Sequence, residues 1–290
     1  MSDYVIVTDS SADLSAEMVG ELDVSVLPLS FILRGTTLKN YPDNRDMSPA
    51  EFYRLIREGE MPTTSAVNMQ EYVDFLAPIL EAGKDVLVLA FSSGLSATCQ
   101  SANLAADELR ERFPERKIEV VDTLCASLGQ GLLVWYAAQK RLAGESMESV
   151  RDWCEENKLR LCHWFTVNDL MHLKRGGRVS AATAVAGTLL QIKPVLHVDN
   201  EGRLINMAKA RGRLAALDAL VKKVGETGTD PSEQVIFISH SDCLEEAKYV
   251  GEKIKEEYHV KDVVYNFIGP VIGSHTGQGC VALFFLGAQR

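Results

Sequence analysis

Short apolar runs alternate along the chain with longer stretches whose apolar positions recur at helical spacing. Tyr4–Thr8, Val86–Phe91 and Ile118–Asp122 read as strands separated by helical segments, and that rhythm predicts a parallel sheet with helices packed on its faces. Ser48-Pro49-Ala50-Glu51 opens a helix that ends near Gly59, with a serine cap, proline in the first turn and a glutamate placed to reach back. Asn68-Met69-Gln70-Glu71 opens another, whose apolar face is Tyr72, Phe75, Leu76, Ile79 and Leu80. Met61–Val67 between them reads as a hydroxyl-rich connection. A third helix follows Ser96, with Cys99, Ala102, Ala106, Leu109 and Phe113 forming one buried stripe. A fourth, over roughly Gly129–Leu142, is apolar nearly all round and therefore interior.

From about Arg160 the pattern restarts. Arg160–Val167 is strand-like, Asn168–Lys174 helical, and Lys174-Arg175-Gly176-Gly177-Arg178 forms a basic glycine loop, after which Ser180 is placed to cap a small-residue helix, Ala181–Leu190. Strands are predicted at Pro194–Val198, Ile205–Lys209, Val235–Ser239, Val263–Ile268 and Cys280–Leu286, with helices near 213–225 and 244–257. The expectation is therefore an α/β protein of two α/β domains, residues 1–155 and 156–290. The first is mainly a parallel sheet flanked by helices and the second a separate α/β layer; 290 residues are long for a single core.

Charge changes the picture in one respect. Thirty basic against forty acidic residues leave a net charge of −10, which disfavours nucleic acid, or an anionic membrane, as the main partner. It leaves room for a local basic patch and transient contact with a membrane surface. No basic segment followed by a long apolar one opens the chain, and no apolar run is long enough to span a bilayer, so a cytoplasmic protein is expected. The six cysteines contain no CxxC pair and the six histidines are scattered. A chain with reduced thiols and no metal site is the simple expectation.

The candidate chemistry is that of an anion site. Gly273-Ser-His-Thr-Gly-Gln-Gly279 crowds glycines, hydroxyls and His275 together, yet it runs into the strand Cys280–Leu286 rather than into a helix. A phosphate cradle needs the opposite order. That order occurs instead at Val86–Phe91 followed by Ser92-Ser93-Gly94-Leu95-Ser96, where a helix start meets the carboxyl end of a strand. Ser96 either caps its own helix or contacts a ligand, and the two roles are compatible. Thr63-Thr64-Ser65 offers further hydroxyls, Arg175 and Arg178 offer cations, and Asp9-Ser10-Ser11-Ala12-Asp13 reads as local Asx-type turns. No GxSxG, GxxxxGK[ST] or GxGxxG sequence occurs. The chain is better equipped to hold an anion than to transform one. The alternative is an enzyme acting on a small phosphorylated or carboxylated metabolite through Asp9, Ser93, Arg178 and His275. A DNA-associated regulator is opposed by the charge.

In order along the chain, TDSSADL, the Thr64-Ser65 pair, SSGLSATCQSA (92–102), DTLCASLGQG (122–131), LKRGGRVS (173–180), LLQIKPVL (189–196) and GPVIGSHTGQG (269–279) resemble the DegV family of bacterial fatty-acid-binding proteins. The resemblance implies one long-chain fatty acid in a tunnel between two domains. It also implies a carrier without catalysis or cofactor of its own, which presents its lipid to a separate ATP-dependent fatty acid kinase making acyl phosphate for phospholipid synthesis. Carried over, the carboxylate meets Thr64 and either Ser93 or Ser96, with Ser65, Arg178, His275 and Thr276 close by; Arg211 faces the kinase. The family often reads TSQPS where this chain has Thr64-Ser65-Ala66-Val67-Asn68, a departure that bears on chain preference. His275 is then a head-group support rather than an acid–base catalyst.

Overall fold

The computed structural model describes residues 4–180 and 191–290. The helix expected over Ala181–Leu190 lies outside the described residues, as do the first two positions of LLQIKPVL. The chain runs β1 (Tyr4–Asp9), a 3-10 turn (Ser10–Ala12), α1 (Ala16–Leu22), β2 (Ser25–Leu27), β3 (Ser30–Leu33), β4 (Thr36–Lys39), α2 (Pro49–Arg57) and β5 (Thr63–Ser65). It continues through α3 (Met69–Glu81), β6 (Asp85–Ala90), α4 (Thr98–Arg112), β7 (Ile118–Asp122), α5 (Leu128–Leu142) and α6 (Met147–Asn157). The remainder is β8 (Leu161–Thr166), α7 (Met171–Arg175), β9 (Ile192–Val198), β10 (Leu204–Arg211), α8 (Arg213–Thr227), β11 (Val235–His240), α9 (Leu244–Tyr258), β12 (Asp262–Phe267), α10 (Pro270–Thr276) and β13 (Val281–Leu286).

The expected parallel sheet is present in the order β2-β1-β6-β7, every pair parallel. Its central strands are apolar on both sides, as a sheet covered on both faces requires: α3 and α4 pack one face through Leu76, Leu80, Ala102 and Leu109. Asn68 and Glu71 close a reciprocal capping box on α3. At α2 the serine cap forms, Ser48 Oγ accepting from Glu51 N, but Glu51 does not reach back; its carboxylate pairs with Arg54 instead. The second sheet, β10-β9-β8-β13-β11-β12, is antiparallel except for β11–β12. Helices α8 and α9 cover its outer face through Leu217, Leu220, Val250 and Ile254.

Helix α5 lies between the two sheets. Its buried residues, from Leu128 to Ala138, share one core with Ile6 and Leu89 of the parallel sheet and with Phe165, Phe237 and Phe284 of the antiparallel one. A helix that is apolar all round needs such a place. One expectation is overturned. The Met61–Val67 connection is not irregular: Thr63–Ser65 is strand β5, hydrogen-bonded to β3, which also pairs with β4. The β3–β4 hairpin turns on Arg34 and Gly35, both at positive φ (51° and 76°), the pairing demanded by a two-residue hairpin loop. A separate small core of Phe31, Phe52, Tyr53 and Ile56 joins this sheet to α2.

Candidate functional site

A cavity of about 300 Å³ opens between the elements just described, a size at the lower end of small-molecule sites. Its walls come from both halves of the chain: β5, the start of α5, β8, α10 and β13 all contribute. Most of the lining is apolar, for example Leu29, Phe91, Phe165, Val198, Leu204 and Phe284. Among the described residues that line it, none is an aspartate or glutamate, and Arg178 supplies the sole permanent charge.

The polar groups converge from separate segments. Thr64 on β5 and His275 on α10 meet at 2.9 Å, Thr64 Oγ1 to His275 Nε2. His275 Nδ1 is buried and has no partner among the described residues. A stranded buried donor costs more than a stranded acceptor of a neutral ring, so the proton belongs on Nε2, donating to Thr64. The hydroxyl hydrogen of Thr64 is thereby free for a ligand. Burial, reinforced by the Arg178 guanidinium, pulls the imidazole down to about pKa 4, so His275 is neutral at physiological pH. Arg178 is half-buried; its Nε donates to Leu95 O at 3.2 Å and its Nη1 to Gly176 O. Among the described residues no carboxylate pairs with it, and burial lowers its pKa.

The segment around His275 is not wholly a loop. Pro270–Thr276 is a short helix, opened by proline at its first turn, and only Gly277–Cys280 connects it to β13. Nor do its glycines serve approach to a ligand. A Cβ on Gly273 would fall 2.5 Å from Tyr53 Oη, and one on Gly277 would fall 2.6 Å from the His172 ring. They admit protein neighbours. Thr276 lines the cavity, but its hydroxyl turns to Ile272 O at 3.3 Å. Ser65 lies at the exposed rim.

At the start of α4, Ser96 holds one of its two anticipated places: the N-cap residue is Ala97, without a side-chain cap, so Ser96 does not cap the helix. Its Oγ accepts from Thr98 N at 3.2 Å and shares a bond with Thr98 Oγ1 at 2.9 Å, and it lines the cavity. Ser93 does not. It is exposed, tied by its backbone N–H to Asp122, and it is absent from the lining. Asp9 is also elsewhere: fully buried, its carboxylate accepts from Ser11, from Phe91 N at 2.8 Å and from Gln130 at 3.3 Å. The quartet Asp9, Ser93, Arg178 and His275 is therefore not assembled; only the last two face the cavity. Arg211 ends the edge strand β10, exposed.

Two polar lining residues escaped sequence reasoning. Ser127 sits at positive φ (53°) before α5 and donates to Asp13 Oδ2 at 2.5 Å. His163 on β8 shares its Nδ1 with Leu161 O at 2.9 Å and packs edge-on against Phe284; burial holds its pKa well below the usual range. The available signal was the place of Ser127 before a helix apolar on every side, where a buried hydroxyl needs partners; it finds them in Asp13 and Ser239 rather than in the helix's own N–H groups. His163 gave none, sitting mid-strand among apolar neighbours. Among the described residues no three His, Cys, Asp or Glu side chains gather as a metal ion would require, and no helix is long and apolar enough to cross a membrane.

Comparison with known proteins agrees with this geometry. A DegV domain-containing protein of Clostridium perfringens is 48% identical over 292 residues, covering 100% of this chain and 99% of that protein. A fatty-acid-binding DegV family protein from Thermus thermophilus superposes with a TM-score of 0.88 at 34% identity, over 98% of this chain and 99% of its own. A stearic-acid-binding protein from Eubacterium ventriosum gives 0.87 at 26% identity, over 98% of each chain. The family model of the DegV proteins, described as uncharacterised, matches residues 3–288. With one parallel and one largely antiparallel sheet enclosing an apolar cavity, this chain belongs to the DegV family.

Proposed function

We propose that this protein is a fatty-acid carrier: it holds one long-chain fatty acid in the cavity and presents the carboxylate to a separate ATP-dependent kinase. One observation carries the reading. A mostly apolar cavity, with no acid among the described residues that line it, ends in hydroxyl, imidazole and guanidinium donors, a distribution suited to an anionic head on an apolar tail. A buried carboxylate without partners is prohibitively costly. Thr64, Ser96 and Arg178 are placed to replace its water, with His275 orienting Thr64. The tail supplies the affinity. About sixteen carbons at roughly 0.8 kcal/mol per methylene give on the order of 10 kcal/mol before the costs of association. The fatty acids bound by the Thermus and Eubacterium relatives support the same occupant.

The neutral His275 fits head-group support better than proton transfer, since a base held near pKa 4 is weak at neutral pH. The chemistry then falls to the kinase, which moves the γ-phosphoryl of ATP onto the carboxylate and leaves acyl phosphate and ADP. Exposed Lys209 and Arg211 on edge strand β10 would meet an acidic face of that partner. Organic extraction of the purified protein with mass spectrometry is the test. One equivalent of long-chain fatty acid per chain is expected; only phospholipid, or no exchangeable lipid after incubation with fatty acid, would overturn the carrier reading.

A further inference from the structure

The side chain of Asp13 plays no part in lining the cavity, yet it joins two of its walls. It ends the 3-10 turn after β1 at positive φ (52°) and is buried. Its Oδ1 accepts from Gly269 N at 2.9 Å and its Oδ2 from Ser127 Oγ at 2.5 Å, while its backbone carbonyl accepts from Asn266 Nδ2 at 2.7 Å. Gly269 is the residue from which α10 starts, and α10 has no capping side chain of its own. Val271, Ile272, His275 and Thr276 of α10 all face the cavity, as does Ser127. Asn40 completes the arrangement, its Oδ1 accepting from Val271 N and its Nδ2 donating to Ser10 O, each at 3.4 Å.

The glycine at 269 shows how tightly this is built. Its φ of −68° suits any residue, so conformation does not demand glycine. Space does: a Cβ there would lie 2.6 Å from Asn40 Oδ1 and 2.8 Å from Asp13 Oδ1.

We propose that Asp13 is a positioning residue for the head-group end of the cavity, its carboxyl fixing from outside both the helix that carries His275 and the hydroxyl of Ser127. The proposal rests on the cavity being a fatty-acid site. Thr64 belongs to the small third sheet and His275 to α10, so their 2.9 Å contact depends on where α10 starts. Removing the acceptor leaves Gly269 N and Ser127 Oγ without it in a buried place and frees α10 to shift. Asparagine is the conservative control. Its Oδ1 still accepts from Gly269 N, and Ser127 Oγ, which already shares a bond with Ser239 Oγ at 2.9 Å, can turn to accept from Nδ2.

The experiment compares the full chain with Asp13→Ala, Asp13→Asn and Gly269→Ala, each delipidated, well below its Tm. Two quantities are measured: the Kd for stearate, and, without ligand, the His275 ring resonances assigned by loss in His275→Gln. Asp13→Ala and Gly269→Ala should weaken stearate binding about tenfold, the loss of a buried acceptor, and move the His275 resonances. Asp13→Asn should bind within about threefold of the parent. Unchanged His275 resonances in folded Asp13→Ala, or equal loss in Asp13→Asn and Asp13→Ala, would overturn the proposal. Should the parent itself fail to bind stearate, the carrier reading falls, while the ligand-free resonances still decide whether Asp13 positions His275.

Discussion

Replacing Arg178 with methionine separates binding from stability, because the guanidinium has no acid partner among the described residues. In the lipid-free protein the substitution removes two hydrogen bonds, to Leu95 O and Gly176 O. Each contributes about 1 kcal/mol net, and the two carbonyls, only partly buried, can turn to water. Against this stands the cost of holding an unpaired guanidinium half out of water, a cost that methionine lacks while keeping most of the stem's packing. The two nearly cancel, so unfolding of the lipid-free variant should change by no more than about 1 kcal/mol. With a carboxylate bound, the balance is one-sided. Breaking a fully buried ion pair costs about 3–5 kcal/mol, and partial exposure reduces this to roughly 2–3. That corresponds to a Kd for stearate weaker by roughly 30- to 150-fold. Calorimetric titration of delipidated protein, with urea unfolding alongside, measures both. An affinity within threefold of the parent, or a stability loss large enough to account for the weaker binding, would refute the reasoning.

Thr64→Ala combined with Ser96→Ala should lower the fatty acid retained through purification and leave the circular dichroism unchanged; undiminished lipid would place the head group elsewhere. Gly176→Ala should weaken fatty-acid binding several-fold, because a Cβ there would fall 2.2 Å from His275 Nδ1; unaltered affinity would show that the imidazole can move without consequence. Stability should fall as pH drops from 6.5 towards 4. His197, His240 and His275 are held at about 4 by burial, so the unfolded chain binds protons that the folded one refuses. Asp13, pushed up to about 7 by burial, acts in the opposite sense over the same range and reduces the slope. A net loss on the order of 2–4 kcal/mol between pH 7 and 5 is expected after solvent screening; a flat urea midpoint would contradict it.

The sequence carried the regular part of this architecture well, because strands buried on both faces and helices with one apolar stripe have distinct periods. Strand Ile118–Asp122 and the helix that opens at Asn68 were legible for that reason, whereas the reaching-back glutamate was expected at Glu51 and forms instead at Glu71. Strands of three or four residues have no period to detect, and so β3, β4 and β5 were hidden, although Gly35 beside a short alternating run was a hairpin signal. Within the site, the groups that share a short segment with other hydroxyls were readable, whereas geometry alone told Ser96 from Ser93. Asp13 reads locally as a turn former, which it is. That its carboxyl reaches across to Gly269, 256 positions away, is a tertiary fact with no local trace.

The central position of β13 in its sheet, with α5 lying against it, bears on how the chain emerges from the ribosome. Residues 128–142 are made well before the strand that completes the surface over them, Val281–Leu286. Throughout that interval the nascent polypeptide displays a greasy flank with nothing to cover it, the condition under which chaperones are recruited. Its yield in cells should therefore depend on holdase capacity during translation far more than the stability of the finished protein would suggest.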